Sequence, residues 1–252
     1  MLSAHGLALQ QGERGLLAGL ELAIAPGEGW LILGENGSGK STLLAALAGW
    51  HLPVAGEVRL DGVRLPAVPR RQRARQLAWQ TQQDEQAFPQ SVLERVLSGR
   101  YPYRTHWQWE SAADHALALQ QLARLDLAGL AGRDLATLSG GERRRVAMAT
   151  ALVQQADCLL LDEPLSQLDL RHQQQALQVL AEEVAGGRAV VLVSHDPNHA
   201  RGFATHALLL FGDGRWLAGP VADVLSTENL GALYHHPVRA LQADGGRWFV
   251  PA

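Results

Sequence analysis

The sequence predicts an α/β fold: a mostly parallel sheet, an antiparallel β subdomain near the N-terminus, and an all-helical lobe inserted between two stretches of the core. Three observations predict it. Short apolar runs of strand length, at residues 30–33, 158–161, 189–193 and 207–211, are set between helical stretches. A glycine-rich loop joins the first of these runs to a segment of strong helix formers, 42–48. From about residue 83 to 145 the apolar residues keep helical spacing and no strand pattern occurs. The core accordingly takes residues 1–82 and 146–252, and the inserted lobe takes 83–145.

The elements follow in order. Residues 7–24 carry apolar alternations broken by Gly12, Gly15 and Gly19, the pattern of two or three antiparallel strands with turns. Residues 57–60 read as another exposed strand, closed by the turn Asp61-Gly62. An arginine-rich stretch then gives way to apolar residues 77–79. In the lobe Val92 and Val96, and then Ala113, Ala116, Leu117, Leu119 and Leu122, fall at helical spacing. Beyond it, helices over 171–184 and 198–203 separate the strand runs into βαβ units, which makes the sheet largely parallel. The final stretch, 221–252, carries one helix and a hairpin around Asp244-Gly245-Gly246.

Composition sets outer limits. The chain has 252 residues, 47% hydrophobic, with 22 Lys+Arg against 25 Asp+Glu. A net charge of −3 argues against a chain built to coat nucleic acid or an anionic membrane. The single cysteine, Cys158, excludes a disulfide framework and a cysteine zinc site, and fits a reducing compartment. No apolar run approaches the roughly 18 residues of a spanning helix, and the N-terminus lacks a secretory pattern. The expectation is a soluble, intracellular chain that leaves any membrane crossing to another chain.

The strongest motif is Gly34-Glu35-Asn36-Gly37-Ser38-Gly39-Lys40-Ser41-Thr42, a full match to G-x-x-x-x-G-K-[ST] between a strand and a helix. Its glycines let backbone N–H groups converge on phosphates, and the following helix presents its positive end to the same anion. Lys40 is expected to reach the β- and γ-phosphates and Ser41 to ligate Mg²⁺. This is the loop of a P-loop NTPase core. The apolar run Leu159-Leu160-Leu161 ends in Asp162-Glu163 and so delivers two carboxylates to the sheet edge where α/β folds bind ligands. Asp162 is expected to hold Mg²⁺ through water, and Glu163 to polarise the water that attacks the γ-phosphate.

Further motifs carry a family resemblance. Leu138-Ser139-Gly140-Gly141-Glu142 resembles the signature of ABC-type ATPases and precedes the Asp162-Glu163 strand as it does there. Gln82 matches the Q-loop glutamine, Ser166-Gln167-Leu168-Asp169 resembles the D-loop, and Ser194-His195-Asp196 contains the switch histidine. The resemblance covers residues 7–234 and implies ATP and Mg²⁺ as ligands. It also implies Gln82 beside the metal, Glu163 and His195 at the γ-phosphate, and a second ATPase subunit, identical in sequence. Each pocket would then combine one chain's phosphate loop with the other's Ser139, Gly140 and Gly141, with Asp169 nearby. Ser139-Gly140-Gly141 opens a helix, itself an anion site, and the chain already has a phosphate loop for its own nucleotide.

Departures from the family pattern are few. Gln10 and Gln11 stand where the family has an aromatic residue that stacks on adenine, Pro197 replaces a leucine, and Gln83 rivals Gln82 for the Q-loop role.

Phe88-Pro89-Gln90-Ser91-Val92, continued to Gly99-Arg100-Tyr101-Pro102-Tyr103, resembles importers of iron-siderophores, haem and cobalamin. Asn198, His199 and Tyr234 add to that likeness. The implied chain is an energy-coupling ATPase on the cytoplasmic face of the inner membrane. Its permease partner would seat a helix between lobe and core, and a periplasmic substrate-binding protein would act indirectly. Tyr101, Tyr103, Trp107 and Trp109 are expected either to face that permease or to be lobe core, and Phe88, Arg100 and Tyr103 to couple the lobe to it. Alternatives are another transporter class or a soluble ABC ATPase of iron–sulfur assembly; a P-loop kinase or GTPase has no use for residues 138–142. Arg70-Arg71-Gln72-Arg73-Ala74-Arg75 lacks interleaved aromatics, so it reads as a solvated helix face with no nucleic acid partner. Residues 143–145, three arginines, are expected to decorate the signature helix. His235-His236 lacks an acidic or cysteine partner for a metal.

Overall fold

The computed structural model describes residues 1–82, 89–105, 109–243 and 246–252. The core opens with β1 (Leu2–Gln11), β2 (Arg14–Ile24), β3 (Gly29–Gly34), α1 (Lys40–Leu47), β4 (Ala55–Leu60), β5 (Val63–Arg64), α2 (Arg70–Gln76) and β6 (Leu77–Gln80). Helices α3 (Val92–Leu97), α4 (Ala112–Arg124) and α5 (Gly140–Val153) follow. Then come β7 (Cys158–Asp162), α6 (Leu170–Ala185), β8 (Ala189–Val193), β9 (His206–Leu210) and β10 (Trp216–Pro220). The chain closes with α7 (Val221–Val224), α8 (Thr227–Tyr234) and the hairpin β11 (Val238–Ala243) and β12 (Gly246–Pro251).

Six strands form the main sheet in the order β10-β9-β3-β8-β7-β6. All neighbours are parallel except the edge pair β10 and β9. A second, antiparallel sheet runs β2-β1-β4-β5. Strand alternation sends successive side chains of the main sheet to opposite faces. Leu31, Leu33, Leu159, Leu161, Val190 and Leu192 join one core with α5 and α6. Ile32, Leu160, Val191 and Leu208 join the other, with β1, β2 and α1. Burial on both faces is why these strands read as continuous apolar runs.

Several details differ from the sequence reading. The helix expected over 198–203 is only a 3₁₀ turn, Pro197–Ala200, because Arg201 is already extended, with ψ 132°, and Gly202 takes φ 83°, neither of which continues a helix. The tail contains two helices, with Ser226 capping α8 by accepting the Asn229 N–H at 3.1 Å. Strand β10, half-buried and Gly-Pro terminated, carries too little apolar pattern to be read from sequence. Asp244 and Gly245 of the expected turn lie outside the described residues, although the hairpin strands pair from Val238↔Pro251 to Ala243↔Gly246.

The lobe shares its core with the sheet: Val92, Val96, Ala118 and Leu122 pack in one cluster with Leu159 and Leu161. Arg100 lies inside this assembly. Its guanidinium bonds Asp114 Oδ1 at 2.7 Å, Val153 O at 3.2 Å and Gln155 Oε1 at 3.1 Å, and sits 4.1 Å over the Tyr103 ring. Arg100 and Tyr103 therefore resolve to lobe packing, whereas Tyr101 and Trp109 stand exposed. Phe88 and Trp107 lie outside the described residues. The α2 arginines also have an internal task. Arg71 Nε and Arg75 Nε donate to Pro102 O at 2.9 and 3.0 Å, clasping the lobe to the core. Arg145 corrects another expectation: it is buried, and its Nη1 donates to Leu125 O at 2.8 Å, because α5 turns that face inward.

Candidate nucleotide site

Parallel strand direction alone gathers the site. Strands β3, β6, β7 and β8 point the same way, so their C-terminal ends share one edge. That edge receives the phosphate loop after β3, Gln82 after β6, Asp162 and Glu163 at the end of β7, and His195 after β8. The phosphate loop is shaped by close packing. A Cβ on Gly34 would lie 2.4 Å from Ser38 Oγ, and Gly37 and Gly39 take φ 78° and 99°. Gly39 starts α1 without a side-chain cap, leaving the helix's first N–H groups turned to the loop. Lys40 is 5% exposed, and its Nζ donates to Gly34 O at 2.8 Å and Glu35 O at 2.9 Å. Burial lowers its pKa, while Glu163 and Asp162 act in the opposite direction.

Glu163 sits at the centre of the edge. Gln82 Nε2 donates to its Oε2 at 3.0 Å, and His195 Nε2 lies 2.7 Å from its Oε1. The residue takes φ 50°, a left-handed conformation that costs a β-less glycine nothing but a glutamate about 1–3 kcal/mol. Gln82 is thus placed at the carboxylate; Gln83 lies outside the described residues. Asp162 is 2% exposed; its Oδ1 has no partner, and the Ser41 hydroxyl bonds its carboxylate. Burial pushes the Asp162 pKa up. A cavity of about 560 Å³ joins Ser41, Thr42, Gln82 and Asp162 to Gln10, Gln11 and His51. His51 was not singled out from sequence, since it follows α1 in a loop with no motif.

The signature residues line a different cavity, of about 450 Å³, with Gln167, Asp169 and His172. Ser139 caps α5: its Oγ accepts the Glu142 N–H at 3.2 Å, and Glu142 Oε2 accepts the Ser139 N–H at 2.7 Å. A Cβ on Gly140 would meet Gln167 Oε1 at 2.4 Å, and one on Gly141 would meet Gln167 O at 2.9 Å, so the loop is held against residues 166–169 by the absence of side chains. Asp169 caps α6, accepting the His172 N–H at 2.9 Å. His235 Nε2 lies 3.9 Å from Glu35 Oε2, an acidic neighbour that the sequence did not show, but among the described residues no three His, Cys, Asp or Glu side chains gather as a metal site.

Fold and site together define a P-loop nucleoside triphosphatase of the ATP-binding-cassette class. The sequence family described as ABC transporter matches residues 17–166. The hemin import ATP-binding protein HmuV of Nocardia farcinica is 42% identical over 248 residues, 95% of this chain and 84% of that protein. HmuV of Streptomyces coelicolor is 38% identical over 240 residues, 94% of this chain and 84% of its own length. Among solved structures, a chain of an inward-facing metal-chelate type ABC transporter superposes with TM-score 0.85 and 31% identity, covering 100% of this chain and 97% of that one. The dimeric ATP-binding cassette MJ0796 with ADP and Pi gives TM-score 0.77 and 27% identity over 88% of this chain and 99% of its own. The chain belongs to the ABC transporter family. It is an ATP-binding, ATP-hydrolysing subunit.

Proposed function

We propose that the chain is the energy-coupling ATPase of an importer for haem or a related iron chelate or corrin, working as a dimer of identical chains. The observation that carries the chemistry is the clamped carboxylate: Glu163 is gripped at both oxygens, by Gln82 and by His195, beside the phosphate loop. Lys40 exchanges its loop carbonyls for the β- and γ-phosphate oxygens when ATP enters. Glu163 then takes a proton from the attacking water, and His195 and Gln82 keep the carboxylate aimed. An orphaned Asp162 oxygen beside the Ser41 hydroxyl and the Gln82 amide makes an all-oxygen donor set that fits Mg²⁺. When bound, the ion supplies charge neutralisation at the phosphates. Gln10, Gln11 and His51 offer the base edge-on polar contacts instead of a stacking ring.

Ser139, Gly140 and Gly141 serve the partner copy's nucleotide, with Asp169 at the same face. Residues 83–145 act as the lobe that moves on closure. A groove of about 760 Å³ on the core, lined by Trp50, Arg73, Trp79 and Gln154, seats the permease helix. Trp50 is 75% exposed and its ring stands 6.0 Å from Trp79, two residues from Thr81 and three from Gln82. The seat thus connects to the site through β6. Among the described residues no helix is long and apolar enough to cross a membrane. The likeness to hemin import ATP-binding proteins supports a peripheral chain on the cytoplasmic face, with a periplasmic substrate-binding protein acting beyond the permease. Co-expression with a candidate permease tests this reading. Haem-stimulated ATPase in the reconstituted complex is expected, and loss of the complex on Trp50→Ala would place the seat. A chain that co-purifies with ribosomes or iron–sulfur assembly proteins would overturn it.

A further inference from the structure

The C-terminal end of the chain takes no part in that chemistry, yet it grips the loop that carries His195. Between the end of β8 and the turn Pro197–Ala200, the loop is anchored at its start by the Ser194 N–H on Ile32 O at 3.1 Å. Inside the loop, Ser194 Oγ accepts the Asp196 N–H at 3.1 Å and Asp196 Oδ1 accepts the Asn198 N–H at 2.8 Å. Two contacts come from far along the chain. Tyr234, the last residue of α8, donates its hydroxyl to His195 O at 3.0 Å. Asn198 pairs in both directions with the Phe249 backbone of β12, at 2.9 Å to the carbonyl and 2.8 Å from the N–H.

The His195 side chain is 45% exposed, so packing does little to hold its ring. The direction of the ring is therefore set by its backbone and by its contact with Glu163, and the hydroxyl of Tyr234 holds that backbone through the His195 carbonyl. The next residue, His235, lies 3.9 Å from Glu35 of the phosphate loop, so the end of α8 touches both loops that close on the nucleotide. The Tyr234 ring packs on the main core, while burial, with Asp196 and Glu35, pushes its pKa up and keeps the hydroxyl a donor.

We propose that Tyr234 is a positioning residue for ATP hydrolysis, its hydroxyl fixing the backbone that aims the His195 ring at Glu163, with Asn198 and β12 as the second anchor. The proposal rests on the reading of His195 and Glu163 as the working pair. It places the C-terminal hairpin in the service of the reaction rather than at its periphery.

Tyr234→Phe keeps the ring and removes the bond. Steady-state hydrolysis by the full chain is expected to show kcat lowered about 3- to 10-fold, the size of one hydrogen bond, with KM for ATP changed less than about twofold. The melting temperature should stay near the parent's, because the ring packing survives. Asn198→Ala, which releases β12, should lower kcat in the same direction. The decisive comparison is a double-mutant cycle in single-turnover mode: in the His195→Ala background, Tyr234→Phe should add no further loss. Additive losses, or an unchanged kcat in Tyr234→Phe while His195→Ala is slow, overturn the positioning role alone. A His195→Ala chain with parental turnover overturns the working pair, and the proposal with it.

Discussion

At the start of α1 the chain places Gly39 at φ 99° with no side chain capping the helix, whereas α5 starts from Ser139, locked with Glu142 in a reciprocal pair of hydrogen bonds. Both are glycine-rich helix starts and both face open cavities. They differ in what is already satisfied. The α1 end has no side-chain cap and buries an unpartnered carboxylate oxygen, Asp162 Oδ1, near a lysine held only by its own loop's carbonyls, an arrangement that a bound phosphate and cation would satisfy. The α5 end needs no ligand to fold, and the cap even holds the Glu142 pKa down. On the proposed reading the first loop takes nucleotide within one chain and the second is offered, fully formed, to another, and a two-fold pair of chains would join the two unlike patches.

The sharpest break in that comparison is Glu163→Gln. If the α1 edge does the chemistry, turnover falls about 10²- to 10⁴-fold as a general base is lost, while ATP still binds. Light scattering should then find an ATP-dependent dimer, trapped because hydrolysis no longer opens it. A dimer of unchanged mass without ATP would mean the α5 loop is not recruited by nucleotide. Next in size, Lys40→Ala removes a charged phosphate contact and should weaken ATP binding about 10- to 100-fold by titration calorimetry, with the dimer lost in proportion. Retained affinity would show that the backbone cradle suffices.

The opposite loop is probed by Ser139→Ala. Loss of the cap should cost about 1 kcal/mol, or roughly 2–4 °C in melting temperature for a domain of this size. ATP affinity of the monomer should hold, since Ser139 lines another cavity, and ATP-driven dimerisation should weaken. Equal losses in both would place Ser139 at its own chain's nucleotide.

How much of this was legible in the sequence follows from the same contrast. Contiguous motifs were readable because backbone geometry demands them: residues 34–42 need glycine at positive φ, and 158–161 need unbroken apolar side chains. The parallel strands of the main sheet followed from those runs, whereas its antiparallel edge strand β10 did not. Contacts distant in sequence were not readable. Arg100 could have faced a partner or the lobe until its bonds to Asp114 and Val153 were seen, 14 and 53 residues away. The grip of Tyr234 on His195 spans 39 residues and carries no local pattern. Arg145 looks like its two neighbours in sequence, and only the rotation of α5 buries it. Roles that depend on which face turns inward need the third dimension.

The smallest expected effect concerns stability. Asp162 is buried with an unpartnered oxygen, and burial raises its pKa above the ordinary 3.8. For an acid whose folded pKa is raised, the folded state binds more protons than the unfolded one between the two values. Stability therefore falls as pH climbs through that window and stays lower above it. The cost at neutral pH that Asp162 adds belongs to the α1 edge; at the α5 edge the helix cap itself is paired, through Ser139 and Glu142. Asp162→Asn removes the buried charge, so the ligand-free chain should melt slightly higher at pH 7 and lose the decline with pH above 3.8 that Asp162 contributes. Added ATP and Mg²⁺ should no longer raise the melting temperature as they do in the parent. A variant that melts lower would mean that the bond from Ser41 outweighs burial, and that the two loops are equally satisfied before any ligand arrives.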